Sequence, residues 1–256
     1  MNWREWFIEA WGLATFMFMA CIYATALEHP ASPIHHAIES ATLRRGVMGV
    51  AMGLTIIGLI YCPWGMRSGA HFNPAITLTF YRLGKVYLRE ALTYPVFQVL
   101  GGLLGLGAAS VLLWGAPAHP RIHFVSTMPG VGGAFVALLA EIVISFILMT
   151  VVLTSSNHPR FKRFTGLFAG MLVATYVLVE APVSGMSMNP ARSLSAGLMS
   201  GRFEDLWIYL VGPPLGMLAA GEVFVRRGRS AECAKLQHDH RYGEACIFNC
   251  GVEQHD

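Results

Sequence analysis

Ser68-Gly69-Ala70-His71-Phe72-Asn73-Pro74-Ala75-Ile76-Thr77-Leu78 and Ser184-Gly185-Met186-Ser187-Met188-Asn189-Pro190-Ala191-Arg192-Ser193 are the two stretches that decide the fold. Both carry Asn-Pro-Ala, at Asn73, Pro74, Ala75 and again at Asn189, Pro190, Ala191. Each triplet reads as a helix start. Asn is a favoured N-cap, and proline suits the first helical position, where its missing N–H would go unpaired anyway. The apolar run after each triplet lasts only about ten residues, half of the about 20 that a bilayer crossing needs. Two half-length helices in an apolar chain predict two re-entrant segments that meet at the membrane midplane.

The rest of the chain is apolar enough for that reading. Of its 256 residues 54% are hydrophobic and 13% charged, against roughly 25% charged in a soluble domain. Spanning helices are expected near 6–27, 46–64, 91–113, 131–154, 164–181 and 205–225. The N-terminus does not read as a cleaved leader, because Glu5 and Glu9 sit where a basic region belongs. The formal charge of +3 is read as a positive-inside bias, not as a nucleic-acid surface. With both termini in the cytoplasm, Arg4, Arg67, Arg82, Lys85, Arg89, Arg160, Lys162, Arg163 and the basic tail lie inside. Arg44, Arg45, Arg121, Arg192 and Arg202 lie outside, and the Arg44-Arg45 pair runs against the rule.

The two halves echo one another. Glu9 opens the first helix and Glu141 the fourth; Gly49-xxx-Gly53 is matched by Gly166-xxx-Gly170, and Gly101-xxx-Gly105 by Gly212-xxx-Gly216. Such small-residue faces let membrane helices approach closely. With three helices per half, the second copy enters from the opposite side. The expected fold is an all-α membrane protein of six transmembrane helices plus two re-entrant half-helices in an inverted 3+3 repeat. One channel domain spans 1–229 (repeats about 1–115 and 130–229), followed by a Cys/His-rich cytoplasmic tail over 230–256. Asn73 and Asn189 would offer two amide donors to one lumen. The non-helical stretches Arg67 to Phe72 and Val183 to Met188 would offer free carbonyls.

With Arg192 directly behind the second triplet, the paired motifs resemble those of the major intrinsic protein family, the aquaporins and their solute-conducting relatives, over roughly residues 5 to 225. The resemblance implies an aquaporin-like passive channel for water and small uncharged solutes, and no enzyme. It places a selectivity filter at Arg192, Val177, Met186 and either Met52 or Gly53. It makes Glu9 and Glu141 acceptors for the backbone of the re-entrant loops and gives Gln98 a packing role. For His71, pore-facing and loop-bracing roles are both open. It also implies a homotetramer in a lipid bilayer, the plasma (inner) membrane, with water and small neutral solutes as partners, no cofactor and no nucleic acid.

Departures from the family pattern set the substrate expectation. Water channels usually carry histidine where Val177 stands, a small residue at Met186 and phenylalanine on the second helix. The glycerol branch usually carries Asp at Ser193. A filter that keeps its arginine but loses polar and aromatic sides is expected to be permissive, with glycerol or metalloid acids plausible. The alternatives are a strict water channel and a non-conducting membrane protein of the same fold. An ion-coupled transporter would need a midplane carboxylate pair, and a membrane enzyme a nucleophile–base or metal cluster; neither pattern is present in the apolar segments. In the tail, Cys233, His238, His240, Cys246 and Cys250 are weak metal or redox candidates without a CxxC spacing, and a plain tail is the other reading. His29, His35 and His36 in the first outer loop are expected to be solvated, with a pH or metal sensor as the alternative.

Overall fold

The computed structural model describes residues 2–238 and 246–251. Asn73 and Asn189 are helix caps. The Asn73 Oδ1 accepts from the Ala75 N–H (2.9 Å), and the Asn189 Oδ1 from Ala191 (3.0 Å) and Arg192 (3.2 Å). They begin two short helices, Pro74–Arg82 and Pro190–Ser200. Among the described residues, six further helices are long and apolar enough to cross a membrane. In chain order the helices are α1 (Trp3–Glu28), α2 (Ala41–Tyr61), α3 (Pro74–Arg82), α4 (Leu88–Leu112), α5 (Gly133–Ser156), α6 (Thr165–Val179), α7 (Pro190–Ser200) and α8 (Leu206–Arg226). The protein is a multi-pass membrane protein. Its six spans bring both chain ends to one face, here the terminal face; the other is the distal face.

The second span starts earlier than the expected residue 46. Ser40 caps α2 through the Leu43 N–H, so Arg44 closes its first turn and Arg45 begins the second. Arg44 is buried, pairs with Glu28 (3.0 Å) and donates to the carbonyls of Ile38 and Glu39. The irregular stretches are also shorter than expected. Arg67 and Ser68 end a one-turn helix, Pro63–Ser68, and Val183 and Ser184 end another, Ala181–Ser184. Both turns stop at a left-handed glycine, Gly69 (φ 96°) and Gly185 (φ 82°), so only the last residues before each Asn are free of helix.

Helix pairing follows the repeat. α1 packs on α4, α5 on α8, and α2 crosses to α6. A Cβ on Gly101 or Gly105 would overlap the carbonyls of Ala10 or Ala14 in α1, and one on Gly216 would overlap Ile142 in α5. Gly53 and Gly170 face each other across the two halves. Lipid supplies no hydrophobic drive between helices, so this close approach is the main source of their attraction. Gly101→Val is therefore expected to cost at least the usual 1–3 kcal/mol of overpacking (order of magnitude). Its check is the thermal midpoint and the monodispersity of the detergent-purified variant; a midpoint equal to that of the parent would contradict the contact.

Candidate functional site: a lumen between the two half-helices

The lumen is built from helix faces and two loops. Residues four apart on a helix share a face, and Met48, Met52, Ile56 and Ile60 of α2 and Ala169, Val173 and Val177 of α6 form two such rows along it. Leu13, Phe16 and Ala20 of α1 and Leu148 and Val152 of α5 add to this aliphatic wall. The cavity measures about 320 Å³ and runs from Glu28, Arg45 and Arg121 at the distal end to Leu236 at the terminal end. Ala70 to Asn73 and Gly185 to Asn189 line its polar side.

The loops hold an unusual backbone. Ala70 (φ 55°), Phe72 (φ 46°), Met186 (φ 52°) and Met188 (φ 52°) are left-handed without being glycine, a state kept only when the surroundings over-determine it. Two buried carboxylates supply that constraint. Glu9 accepts from Ser68 Oγ (2.7 Å), His71 N (3.1 Å), Phe72 N (2.6 Å) and Gln98 Nε2 (2.8 Å). Glu141 accepts from Ser184 Oγ (2.6 Å), Ser187 N (2.7 Å) and Met188 N (2.8 Å). With the N–H groups turned to the carboxylates, the carbonyls turn to the lumen.

Not all of those carbonyls are free. Asn73 Nδ2 donates to the Met188 carbonyl and Asn189 Nδ2 to that of Phe72, both at 2.7 Å, which laces the two loops together. Each amide thus spends one N–H on the opposite loop and keeps one for the lumen. The Ser68 carbonyl accepts from Tyr94 and that of Ser184 from Tyr209. Among the described residues, the carbonyls of Ala70, His71, Gly185 and Met186 accept no hydrogen bond. They make a short ladder of acceptors facing the aliphatic wall.

Arg192 lines the lumen, and its buried Nη1 meets no acceptor among the described residues. Met52, Val177 and Met186 line it too, whereas Gly53 is turned away against Gly170. Ser193 does not reach the lumen. It is buried and bonded to Thr127 (2.8 Å) and Ser187 (2.6 Å), tying the 113–132 connection to the second re-entrant loop. That connection brings Arg121, Ile122 and Val125 to the distal mouth, on three consecutive left-handed residues, His123, Phe124 and Val125. His123, held below the ordinary imidazole range by partial burial and by nearby Arg202, is the neutral partner of that guanidinium (3.0 Å). His35 is tied down as well, bonding the Leu27 carbonyl and Arg121; His36 is exposed.

His71 braces and faces the lumen at once: Nδ1 meets Thr77 Oγ1 (3.0 Å) and Nε2 meets the Ala234 carbonyl (2.8 Å). That last contact is with the tail, which packs onto the first re-entrant loop. Phe248 stacks on His71 with ring centres 5.4 Å apart, and the Leu236 N–H donates to the Gly69 carbonyl (3.1 Å). Of the tail candidates, Cys233, His238, Cys246 and Cys250 come together; His240 lies outside the described residues. Leu236, Met48 and Val125 are lumen residues that sequence reasoning missed. Only the four-residue spacing of Met48 to Met52 could have flagged one of them.

Comparison with known proteins agrees with this architecture. The family model for Major intrinsic protein matches residues 1–224. Aquaporin NIP1-1 of Zea mays is 36% identical over 212 residues, 82% of this chain and 70% of that protein. Probable aquaporin NIP4-2 of Arabidopsis thaliana is 38% identical over 176 residues, 68% of this chain and 60% of that protein. The X-ray structure of the aquaglyceroporin from Plasmodium falciparum superposes with a TM-score of 0.72, covering 88% of this chain and 96% of that one at 21% identity, a likeness of fold. With matching sequence, matching fold and paired Asn caps at the centre of one lumen, the chain belongs to the major intrinsic protein family.

Proposed function

We propose that this channel for water and small uncharged solutes has a permissive filter that passes glycerol and uncharged metalloid acids as well as water. The observation that carries it is the one-sided lumen. Val177, Met52 and Met186 present aliphatic or thioether surface, while Arg192, the two Asn amides and the carbonyl ladder are polar. A polyol or a hydroxylated metalloid acid carries hydroxyls for the ladder and fits its remaining surface to the wall. A bare ion would lose its hydration shell against Met and Val without replacement. The filter reading rests on Met52, Val177, Met186 and Arg192, and pore-loop support on Glu9, Gln98, His71 and Glu141.

The test is a glycerol jump on proteoliposomes followed by light scattering. Shrinkage faster than in empty liposomes reports water, and accelerated reswelling reports glycerol. Reswelling no faster than in empty liposomes beside fast shrinkage would make this a strict water channel. Val177→His adds a polar ring to the wall and is expected to slow glycerol reswelling at least about tenfold, the scale of about 1.4 kcal/mol, with shrinkage kept within about twofold. Equal glycerol rates in the two proteins would remove Val177 from the filter.

The proposal takes residues 1–229 as one channel domain and 230–256 as the tail. Both termini are assigned to the cytoplasmic side of the plasma membrane. In support, Arg44 is neutralised by Glu28 and Arg192 lies in the lumen, which leaves Arg45, Arg121 and Arg202 as distal-face cations against the larger terminal-face set. The homotetramer implied by family membership is kept; exposed apolar residues such as Leu54, Leu104 and Val143 suit lipid or a neighbouring copy.

A further inference from the structure

We propose that Cys233, His238, Cys246 and Cys250 form a tetrahedral Zn²⁺ site that clamps the C-terminal segment across the terminal mouth of the lumen, with Leu236 as the plug. The ligand atoms of the four residues all lie within 4.8 Å of one another. Cys233 Sγ and Cys246 Sγ are 3.6 Å apart, and Cys250 Sγ and His238 Nε2 are 3.4 Å apart. With Zn–S about 2.3 Å and Zn–N about 2.0–2.1 Å, the edges of a tetrahedral site are about 3.5–3.8 Å. The two pairs are therefore spaced as ligands to one ion. Three thiolates and an imidazole leave no open position, which is the donor set of a structural zinc site and not of a catalytic one. A Cys233–Cys246 disulfide would use two of the sulfurs and give no role to the convergence of Cys250 and His238 on the same point.

The consequence lies in what the ligands bracket. Cys233 and His238 flank Leu236, whose side chain belongs to the lumen wall and whose N–H is bonded to the Gly69 carbonyl. Between them, the Ala234 carbonyl meets His71 Nε2, two residues before the first Asn-Pro-Ala. Cys246 and Cys250 flank Phe248, stacked on the same His71, and Asn249, whose N–H bonds the Lys85 carbonyl (3.0 Å). A metal that joins the two segments fixes both on the mouth. Without it, the first segment is held by a few hydrogen bonds and its buried apolar side chains, and the second by a few hydrogen bonds and the stacking of Phe248 on His71 and against Tyr94. Metal loading thus favours the closed mouth. This gating half rests on the channel reading above; the metal site does not.

The experiment has a spectroscopic and a flux arm, both on the full chain with any affinity tag removed. Co²⁺ added to reduced, metal-free protein in detergent is expected to give sulfur-to-cobalt charge-transfer and tetrahedral d–d bands at one ion per chain, displaced by Zn²⁺. Cys250→Ser and His238→Ala are each expected to weaken Co²⁺ binding by more than about tenfold, the least that losing even an outer-shell partner costs. An absent tetrahedral spectrum overturns the site, and unchanged affinity in His238→Ala overturns the four-ligand assignment. In proteoliposomes, Zn²⁺ is expected to slow solute flux at least fivefold relative to chelator-treated protein. Leu236→Gly should keep the cobalt spectrum and conduct at the chelated rate in both states. Wild-type flux indifferent to Zn²⁺, beside an intact cobalt spectrum, overturns the clamp. No flux from either protein in any state means that the channel reading has failed and the gating half with it, while the cobalt spectrum still decides the site.

Discussion

Glu9→Gln is expected to lower conduction at least tenfold while leaving the helices intact. The Glu9 carboxylate has four donors aimed at it, two on each oxygen, and all four are buried. An amide replaces one oxygen by an N–H₂ group that cannot accept, so two donors lose their partner and face another donor. Each buried donor left unpaired costs about 1–3 kcal/mol, so the variant forfeits about 2–6 kcal/mol within one loop. Ala70 and Phe72 are held left-handed by the same bonds, and release of a strained backbone adds to the drive away from the native loop. The expected readouts are an unchanged helical circular dichroism spectrum, a thermal midpoint lower by several degrees and water flux down at least tenfold. Glu141→Gln should behave alike, since Glu141 holds Ser184, Ser187 and Met188 in the second loop. If Glu9→Gln matches the parent in both midpoint and flux, the carboxylate does not organise the loop.

How far the sequence reached can be judged residue by residue. The Asn-Pro-Ala caps are local, set by a side chain and the two or three residues after it, and so they were legible directly. Glu9 and its loop are separated by some 60 positions, with the bond Glu9 to His71 at a spacing of 62; only the family resemblance linked them. The choice between Met52 and Gly53 could not be made from a count, because one residue turns a helix by roughly 100°. The packing tells them apart, with Gly53 against Gly170 and Met52 lining the lumen. The reach of free carbonyls was overestimated, because Gly69 and Gly185 end one-turn helices that local pattern did not reveal. The tail was the least legible part. Its ligand spacing matches no short motif, and its cysteines converge only because the segment folds back onto His71 and Gly69.

Arg192→Val is expected to open the lumen to protons and small cations while neutral solutes pass as before or faster. Arg192 places a permanent positive charge on the polar side of the lumen, facing the aliphatic wall. At 4–5 Å and an effective dielectric constant of about 20, its repulsion of a unit cation is about 3–4 kcal/mol, roughly two to three powers of ten in cation entry. Some barrier remains in the variant, because α3 and α7 still direct their positive N-terminal ends at the midplane and the Asn amides still donate there. The gain in leak should therefore reach one to two powers of ten, short of the full Coulomb figure. The buried, unpartnered Nη1 of Arg192 also implies a donor lost to passing solute, and valine removes bulk, two effects that oppose each other in the flux of a neutral molecule. Proteoliposomes carrying an internal pH dye under an imposed potassium diffusion potential measure the leak, with glycerol reswelling followed in parallel. Arg192→Lys is the control that keeps the charge and loses the planar fork, and it should remain tight to protons. If the valine variant is as proton-tight as the parent, exclusion resides in the two half-helix ends and the Asn pair alone, and the charge of Arg192 contributes nothing measurable to it.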